Sequence, residues 1–158
     1  MRNSILAALL IYAPVAQAQQ AFDATHCYVG TATVVFASDD ATIVNFDHKG
    51  LYRGNGENKL LNGFSTHCGG TTTIINKNRT TRGGCKVVDL KGDTIALVFE
   101  GSGPAGQETG IGNAVAGTGA WKGVSGGGKW QVHTPSRPLS QGAFQACLRY
   151  EGTLTVPK

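Results

Sequence analysis

The chain has 158 residues and a formal net charge of +4, with 14 Lys and Arg interspersed among 10 Asp and Glu. A nucleic-acid-binding surface needs many clustered basic groups, so this mild and scattered excess argues against a nucleic-acid partner. The 23 glycines and the single methionine are typical of short strands joined by tight turns rather than of helices.

The beginning of the chain has the pattern of an export signal. Arg2 provides a positive start, residues 5–12 form an apolar run, and residues 16–18 (Ala-Gln-Ala) give the small-x-small pattern of a signal-peptidase site. The apolar run is too short to cross a bilayer as a stable helix, so no membrane span is expected. We therefore predict a signal peptide over residues 1–18 and a single domain over residues 19–158, located in the periplasm or outside the cell.

Past the signal, apolar and polar residues alternate with the two-residue period of strands, and helical spacing is not sustained. The alternation predicts short strands over residues 27–36, 42–46, 59–64, 70–75, 112–116 and 129–133. Clusters of Ser, Asp, Asn and Gly predict turns at residues 38–40 and 54–56.

Two further segments give the clearest strand signals. From Cys85 to Glu100, a three-residue loop at 90–92 would set Val87 opposite Ile95 and Cys85 opposite Leu97. In the C-terminal segment, Gly152 interrupts an apolar row and is expected to mark a bend or bulge. The other members of that row are Phe144, Ala146, Leu148, Tyr150, Leu154 and Val156.

These segments together predict an all-β fold. Strands without a covering helix are poorly buried in one open sheet. Closure removes the exposed sheet edges, so we predict an antiparallel, closed or nearly closed barrel of about 8 to 10 short strands.

The four cysteines of an exported domain predict two disulfides. A two-residue turn at residues 76–77 would place Cys68 across from Cys85. A barrel also puts its first strand beside its last, which would bring Cys27 near Cys147.

A metal site is the alternative use of these cysteines, because His26 precedes Cys27 and His67 precedes Cys68. Adjacent residues of a strand point to opposite faces, which argues against one ion bound by both pairs. We predict no metal and no cofactor.

Residues 123–127 match the hydrolase pattern G-x-S-x-G around Ser125. That elbow works only at a strand-to-helix turn. The residues after Ser125 alternate like a strand, so we predict that Ser125 is not a nucleophile and that the chain has no identifiable catalytic residue.

The most distinctive segment is a glycine-rich hairpin with two tryptophans. Its glycines allow positive φ and close approach of strands, and its indoles can fill the space that remains. We expect this barrel hairpin to help close the barrel through Gly117, Gly119, Trp121, Gly123, Gly126, Gly128 and Trp130.

With Thr118, these glycines around Trp121 resemble the late hairpin of the allene oxide cyclase and dirigent type of β-barrel, in particular the small exported bacterial proteins similar to it. Residues 99–101 (Phe-Glu-Gly) and 149–153 (Arg-Tyr-Glu-Gly-Thr) add to the resemblance, which extends from about Cys85 to the C-terminus. The resemblance implies the architecture and no activity. No catalytic residue of the cyclase family has a matching position in this chain.

A barrel of this kind is predicted to be a non-catalytic module that binds an apolar small molecule in its mouth or a protein partner through its loops. One alternative is an enzyme of the cyclase or isomerase type that uses an apolar cavity, and another is a secreted inhibitor or envelope structural protein. The content of the barrel interior distinguishes these three candidate functions. A filled core favours protein contacts, an open apolar cavity favours ligand binding, and a cavity with a convergent buried acid, His or Tyr favours catalysis.

N-terminal sequencing of the exported protein tests the signal peptide. Cleavage after residue 18 should leave Gln19 as the first residue, because the small side chains at residues 16 and 18 fit the peptidase. An intact Met1 in a membrane fraction would contradict this prediction.

Overall fold

The computed structural model describes residues 18–135 and 140–156. These residues form a closed antiparallel barrel in which each strand pairs with its neighbours in chain order and β1 pairs with β8. The strands are β1 (Ala18–Ala37), β2 (Ala41–Gly54), β3 (Ser65–Ile75), β4 (Asn78–Val88), β5 (Thr94–Pro104), β6 (Thr109–Gly117), β7 (Ser125–Pro135) and β8 (Ala143–Val156). A short 3-10 helix, Gly119–Trp121, lies between β6 and β7. The predicted all-β barrel is confirmed.

The predicted signal peptide lies outside the described residues except for Ala18, the first residue of β1. Within the described ranges, no helix is long and apolar enough to cross a membrane. Ala18 pairs with Val156, so both ends of the described chain lie at the same end of the barrel.

Two turns set the register of the central strands. Asn76 and Lys77 have φ values of 50° and 68°, the left-handed conformation of a two-residue hairpin turn, and the turn pairs Cys68 with Cys85. In the next hairpin Gly92 has a φ of 94°. The predicted pairs Val87–Ile95 and Cys85–Leu97 are present in that hairpin.

The strand predicted over residues 59–64 is wrong, because this segment forms the loop between β2 and β3. The Asn62 side chain accepts a hydrogen bond from the Gly54 amide at 3.1 Å, and Gly63 has a φ of 81°. Both features hold the chain in a compact turn. The apolar residues Leu61 and Phe64 are buried as part of the core instead of alternating along a strand.

The bend or bulge expected at Gly152 is also not seen, since the register of β8 continues through it on both sides. A Cβ at Gly152 would overlap the backbone of Gly127 and Gly128 on β7. Gly152 therefore allows β7 and β8 to approach each other closely. The register shift of β7 and β8 lies between Val132 and Thr134.

Side chains from two loops plug one end of the barrel. Leu61 and Phe64 come from the β2–β3 loop, and Trp121 and Val124 come from the β6–β7 connection. The Phe64 and Trp121 rings meet edge to face with their centroids 5.7 Å apart. Asp89 accepts a hydrogen bond from the Trp121 indole at 3.0 Å, which fixes the ring over this end.

The structure contains two disulfides, Cys27–Cys147 and Cys68–Cys85. The first joins β1 to β8 across a sequence separation of 120, and the second joins β3 to β4 across a separation of 17. In the loop-entropy description these closures stabilise the fold by up to about 5 and about 3 kcal/mol.

The barrel hairpin combines positive φ values with close strand contacts. Gly119, Gly123 and Gly126 have φ values of 52°, 81° and 96°, and a Cβ at Gly117 or Gly128 would overlap neighbouring backbone. Ser125 begins strand β7, so a strand and not a helix follows it.

The second tryptophan of the hairpin, Trp130, lies in the barrel wall rather than at its end. The Trp130 indole lies against Gly101 and Gly110, where a Cβ would overlap the ring. Its Nε1 donates to the Ile111 carbonyl at 3.2 Å. The two hairpin tryptophans therefore have different tasks, because Trp121 plugs the end while Trp130 fills the interior beside the sheet.

Replacing either tryptophan by Ala should lower the free energy of unfolding by about 3 to 5 kcal/mol, because both side chains are buried members of the core. Chemical denaturation of Trp121→Ala and Trp130→Ala measures the loss. Leu90→Ala is a suitable control, because Leu90 is 79% exposed and should change stability little. Wild-type stability of both tryptophan variants would contradict the packing.

Candidate functional site

The barrel encloses a cavity of about 580 Å³ on the other side of the core from the plug. Its lining reaches Ile74 and Ala105, at the turns that join β3 to β4 and β5 to β6. The cavity therefore opens at the end opposite Trp121. Most of its wall is apolar or aromatic, including Val44, Phe46, Phe99, Trp130, Val132 and Phe144.

Two buried histidines lie in the wall of this cavity, with ring centroids 5.8 Å apart. Strand alternation points His26 of β1 and His48 of β2 inward. The Nε2 atom of His26 is hydrogen-bonded to Oγ1 of Thr66 at 2.7 Å. Among the described residues, Nδ1 of His48 is the one buried side-chain nitrogen or oxygen without a hydrogen-bond partner.

Both histidines are held in the neutral form. Burial lowers the pKa of His26 to about 3, and the nearby His48 lowers it further. Burial likewise lowers the pKa of His48 to about 4, against a smaller raising effect of Asp47. Neutral imidazoles can donate or accept a hydrogen bond at neutral pH, and they can also accept a proton.

Tyrosines surround the two imidazoles. The Tyr28 ring lies 4.3 Å from the His48 ring, and the Tyr52 ring stacks on His26 at 4.5 Å. Burial raises the pKa of Tyr28 to about 12, and the negative charge of Glu108 raises it further. Burial also raises the pKa of Tyr52, so both hydroxyls remain protonated at neutral pH.

An ion pair stands at the mouth of the cavity. Arg79 of β4 donates to Oε1 of Glu108 at 3.0 Å, and the Gly106 amide donates to Oε2 at 2.7 Å. Glu108 is only 7% exposed, while the Arg79 side chain reaches solvent. The carboxylate is therefore a charged group at the rim with both oxygens already engaged.

The metal alternative fails on geometry. His26 points into the cavity, whereas His67 is exposed on the outside and pairs with Asp47 at 2.6 Å. The sulfurs of Cys27 and Cys68 are held in disulfides. Among the described residues, no group of three or more His, Cys, Asp and Glu could hold a metal ion.

Only some of the site residues predicted from the sequence line this cavity. Trp130 and Cys85 line it, whereas Trp121 and the glycines of the barrel hairpin belong to the plug and the strand contacts. The polar wall residues His48, Tyr28 and Glu108 were not predicted. The alternation of β1 carried a signal for part of this set, because His26 and Tyr28 follow Phe22 and Ala24 on its buried face.

Comparison with solved structures identifies proteins of the same fold. The chain is similar to the pterocarpan synthase dirigent protein GePTS1, with 15% sequence identity over 98% of each chain and a TM-score of 0.53. It is similarly close to the pterocarpan synthase dirigent protein PsPTS1, with 15% identity over 89% of this chain and 97% of that one, and a TM-score of 0.52. At this identity the likeness establishes a dirigent-type barrel fold alone. No protein-family model and no curated protein matches the sequence.

The two buried histidines predict a loss of stability in mild acid. Their pKa values are about 3 and about 4 in the folded protein and 6.5 in an ordinary environment, so between these values the unfolded chain binds protons that the folded one does not. The free energy of unfolding should therefore fall as the pH drops from about 7 to about 4, by up to about 1.4 kcal/mol per pH unit for each histidine.

Urea unfolding at several pH values measures this slope. His48→Phe should flatten the slope, because it removes one of the two buried histidines. The same slope in wild type and His48→Phe would contradict the prediction.

Proposed function

We propose that this protein is an exported single-domain barrel, residues 19–158, that binds an apolar small molecule in its cavity. The observation that carries the proposal is the open cavity of about 580 Å³ with aromatic walls. Its volume lies within the range of small-molecule sites, and a few polar groups in an apolar wall are typical of such sites.

The shape of the interior favours a ligand over a purely structural role. A structural protein or inhibitor gains most stability from a filled core, because a hollow forfeits packing contacts. Here the loops fill one end, while the other end leaves Phe46, Phe99 and Phe144 facing empty space. A bound apolar molecule would recover those contacts, so we rank protein-partner, inhibitor and envelope roles below ligand binding.

The disulfides support the part of the proposal that concerns export. Two disulfides are typical of proteins that mature in an oxidising compartment. We place the protein in the periplasm or outside the cell, after removal of residues 1–18, and group it with the small exported bacterial barrels that its late hairpin resembles.

A cyclase or isomerase activity is the second candidate, and a specific observation favours it. Neutral His48, Tyr28 and the carboxylate of Glu108 all face one cavity, which gives a possible proton acceptor and donors beside an apolar substrate. The structurally similar dirigent proteins are described as pterocarpan synthases. A barrel of this fold is therefore compatible with an enzyme.

The fluorescent probe N-phenyl-1-naphthylamine, which is uncharged and apolar, tests ligand binding. The wild type should bind one probe per barrel. Ala146→Phe should weaken binding about tenfold or more, because Ala146 lines the cavity and the larger ring would occupy it. Ala116→Phe is the matched control, because Ala116 is exposed and does not line the cavity. Equal binding by all three proteins, or by none, would contradict the proposal.

Protein purified from its native host separates binding from catalysis. A binding module should release one unchanged small molecule on denaturation, as seen by native mass spectrometry. An enzyme should instead convert a component of a host extract with turnover, and His48→Phe should abolish the conversion without unfolding the barrel.

A further inference from the structure

Most polar groups of the cavity wall already have protein partners. The hydroxyls of Thr72 and Thr81 bond each other at 2.9 Å, and the Tyr150 hydroxyl donates to the Gly112 carbonyl at 2.9 Å. Both carboxylate oxygens of Glu108 accept hydrogen bonds. A ligand must therefore find its polar contacts elsewhere on the wall.

His48 offers one such contact, and the surroundings of its ring indicate which nitrogen carries the proton. Its Nδ1 is sealed from solvent and has no partner. A buried N–H without an acceptor is rarer and more costly than an unused lone pair, so the proton belongs on Nε2. Nε2 also has no protein partner among the described residues, but it is not buried from solvent. Because His48 lines the cavity, a ligand in the cavity can reach this nitrogen.

Tyr28 offers the second contact beside the first. Its hydroxyl has no partner in the described part of the chain and is likewise not sealed from the cavity. The rings of Tyr28 and His48 lie 4.3 Å apart. Tyr28 lies closer to the mouth than His26 on β1, and His48 lies closer to the mouth than Tyr52 on β2.

From this geometry we infer that the cavity takes an uncharged ligand that carries a hydrogen-bond acceptor oxygen, such as a ketone or ether, on an apolar body, and that Nε2–H of His48 and the hydroxyl of Tyr28 donate to that oxygen. The inference rests on the proposed ligand-binding function and adds the chemical class of the ligand. An anionic ligand is disfavoured, because it would lose its hydration in an apolar cavity where the one lining cation among the described residues, Arg79, is already paired with Glu108.

A matched pair of probes tests the inference. 2-Acetonaphthone and 2-isopropenylnaphthalene have nearly the same shape, but only the ketone has an acceptor oxygen. Wild-type protein should bind the ketone about tenfold more tightly in calorimetric titration, the factor expected for a hydrogen bond made in a dry site. Tyr28→Phe and His48→Phe should each reduce this preference, and the double variant should bind both probes equally.

His67→Phe is the matched control for His48→Phe, because His67 is exposed on the outside of the barrel and its replacement should keep the ketone preference. His48→Gln can place an amide N–H near the same point and should restore part of the preference that His48→Phe loses. Tyr28→Phe removes a single oxygen, so its thermal melt should match the wild type and its binding data remain interpretable.

The outcomes separate this inference from the function on which it rests. Equal binding of the two probes by wild type would overturn the acceptor assignment and leave ligand binding intact. A ketone preference that survives in the double variant, or that disappears in His67→Phe alone, would overturn the two named donors. If neither probe binds, the ligand-binding function itself fails and the inference fails with it.

Discussion

The hydrogen bonding of β1 with β8 is the constraint on which the rest of the structure depends. These two strands come from opposite ends of the chain, and their pairing turns an eight-stranded sheet into a closed wall. The Cys27–Cys147 disulfide lies within this seam, at a residue pair that is directly opposed. Without the seam, β1 and β8 would each have one unpaired edge and the interior would open to water.

Closure also determines what the interior can contain. A ring of eight strands is about the size at which side chains can either fill the interior or leave room for one small ligand. In this barrel one end of the interior is filled and the other end is hollow. Loop residues such as Leu61 and Trp121 fill one half, while the other half, lined by residues such as Phe46 and Phe144, encloses the cavity. His26 and His48 lie in the wall of the hollow half, where burial keeps them uncharged.

The sequence predicted the fold more completely than the site, for physical reasons. Strand alternation and short turns act over short distances, so the loop at residues 90–92 predicts the Val87–Ile95 register and the two-residue turn at 76–77 predicts the opposition of Cys68 and Cys85. The loop at residues 59–64 was misassigned because its apolar residues serve as a plug, a task that depends on contacts with a distant connection. Tyr28 and His48 lie on the neighbouring strands β1 and β2, but Glu108 comes from the connection between β5 and β6 and shares their cavity only because the sheet closes. No local sequence pattern encodes this grouping.

The two ends of the described part of the chain lie together, which determines how the barrel could be attached to other objects. Ala18 and Val156 are paired at the plugged end, so a polypeptide joined to either one leaves the barrel on the side away from the mouth. A tether, a fused domain or a solid support linked at these points would hold the barrel with its opening facing outward. Loading and release of a ligand would then be independent of the attachment, and the same barrel could operate free in solution or fixed to a surface.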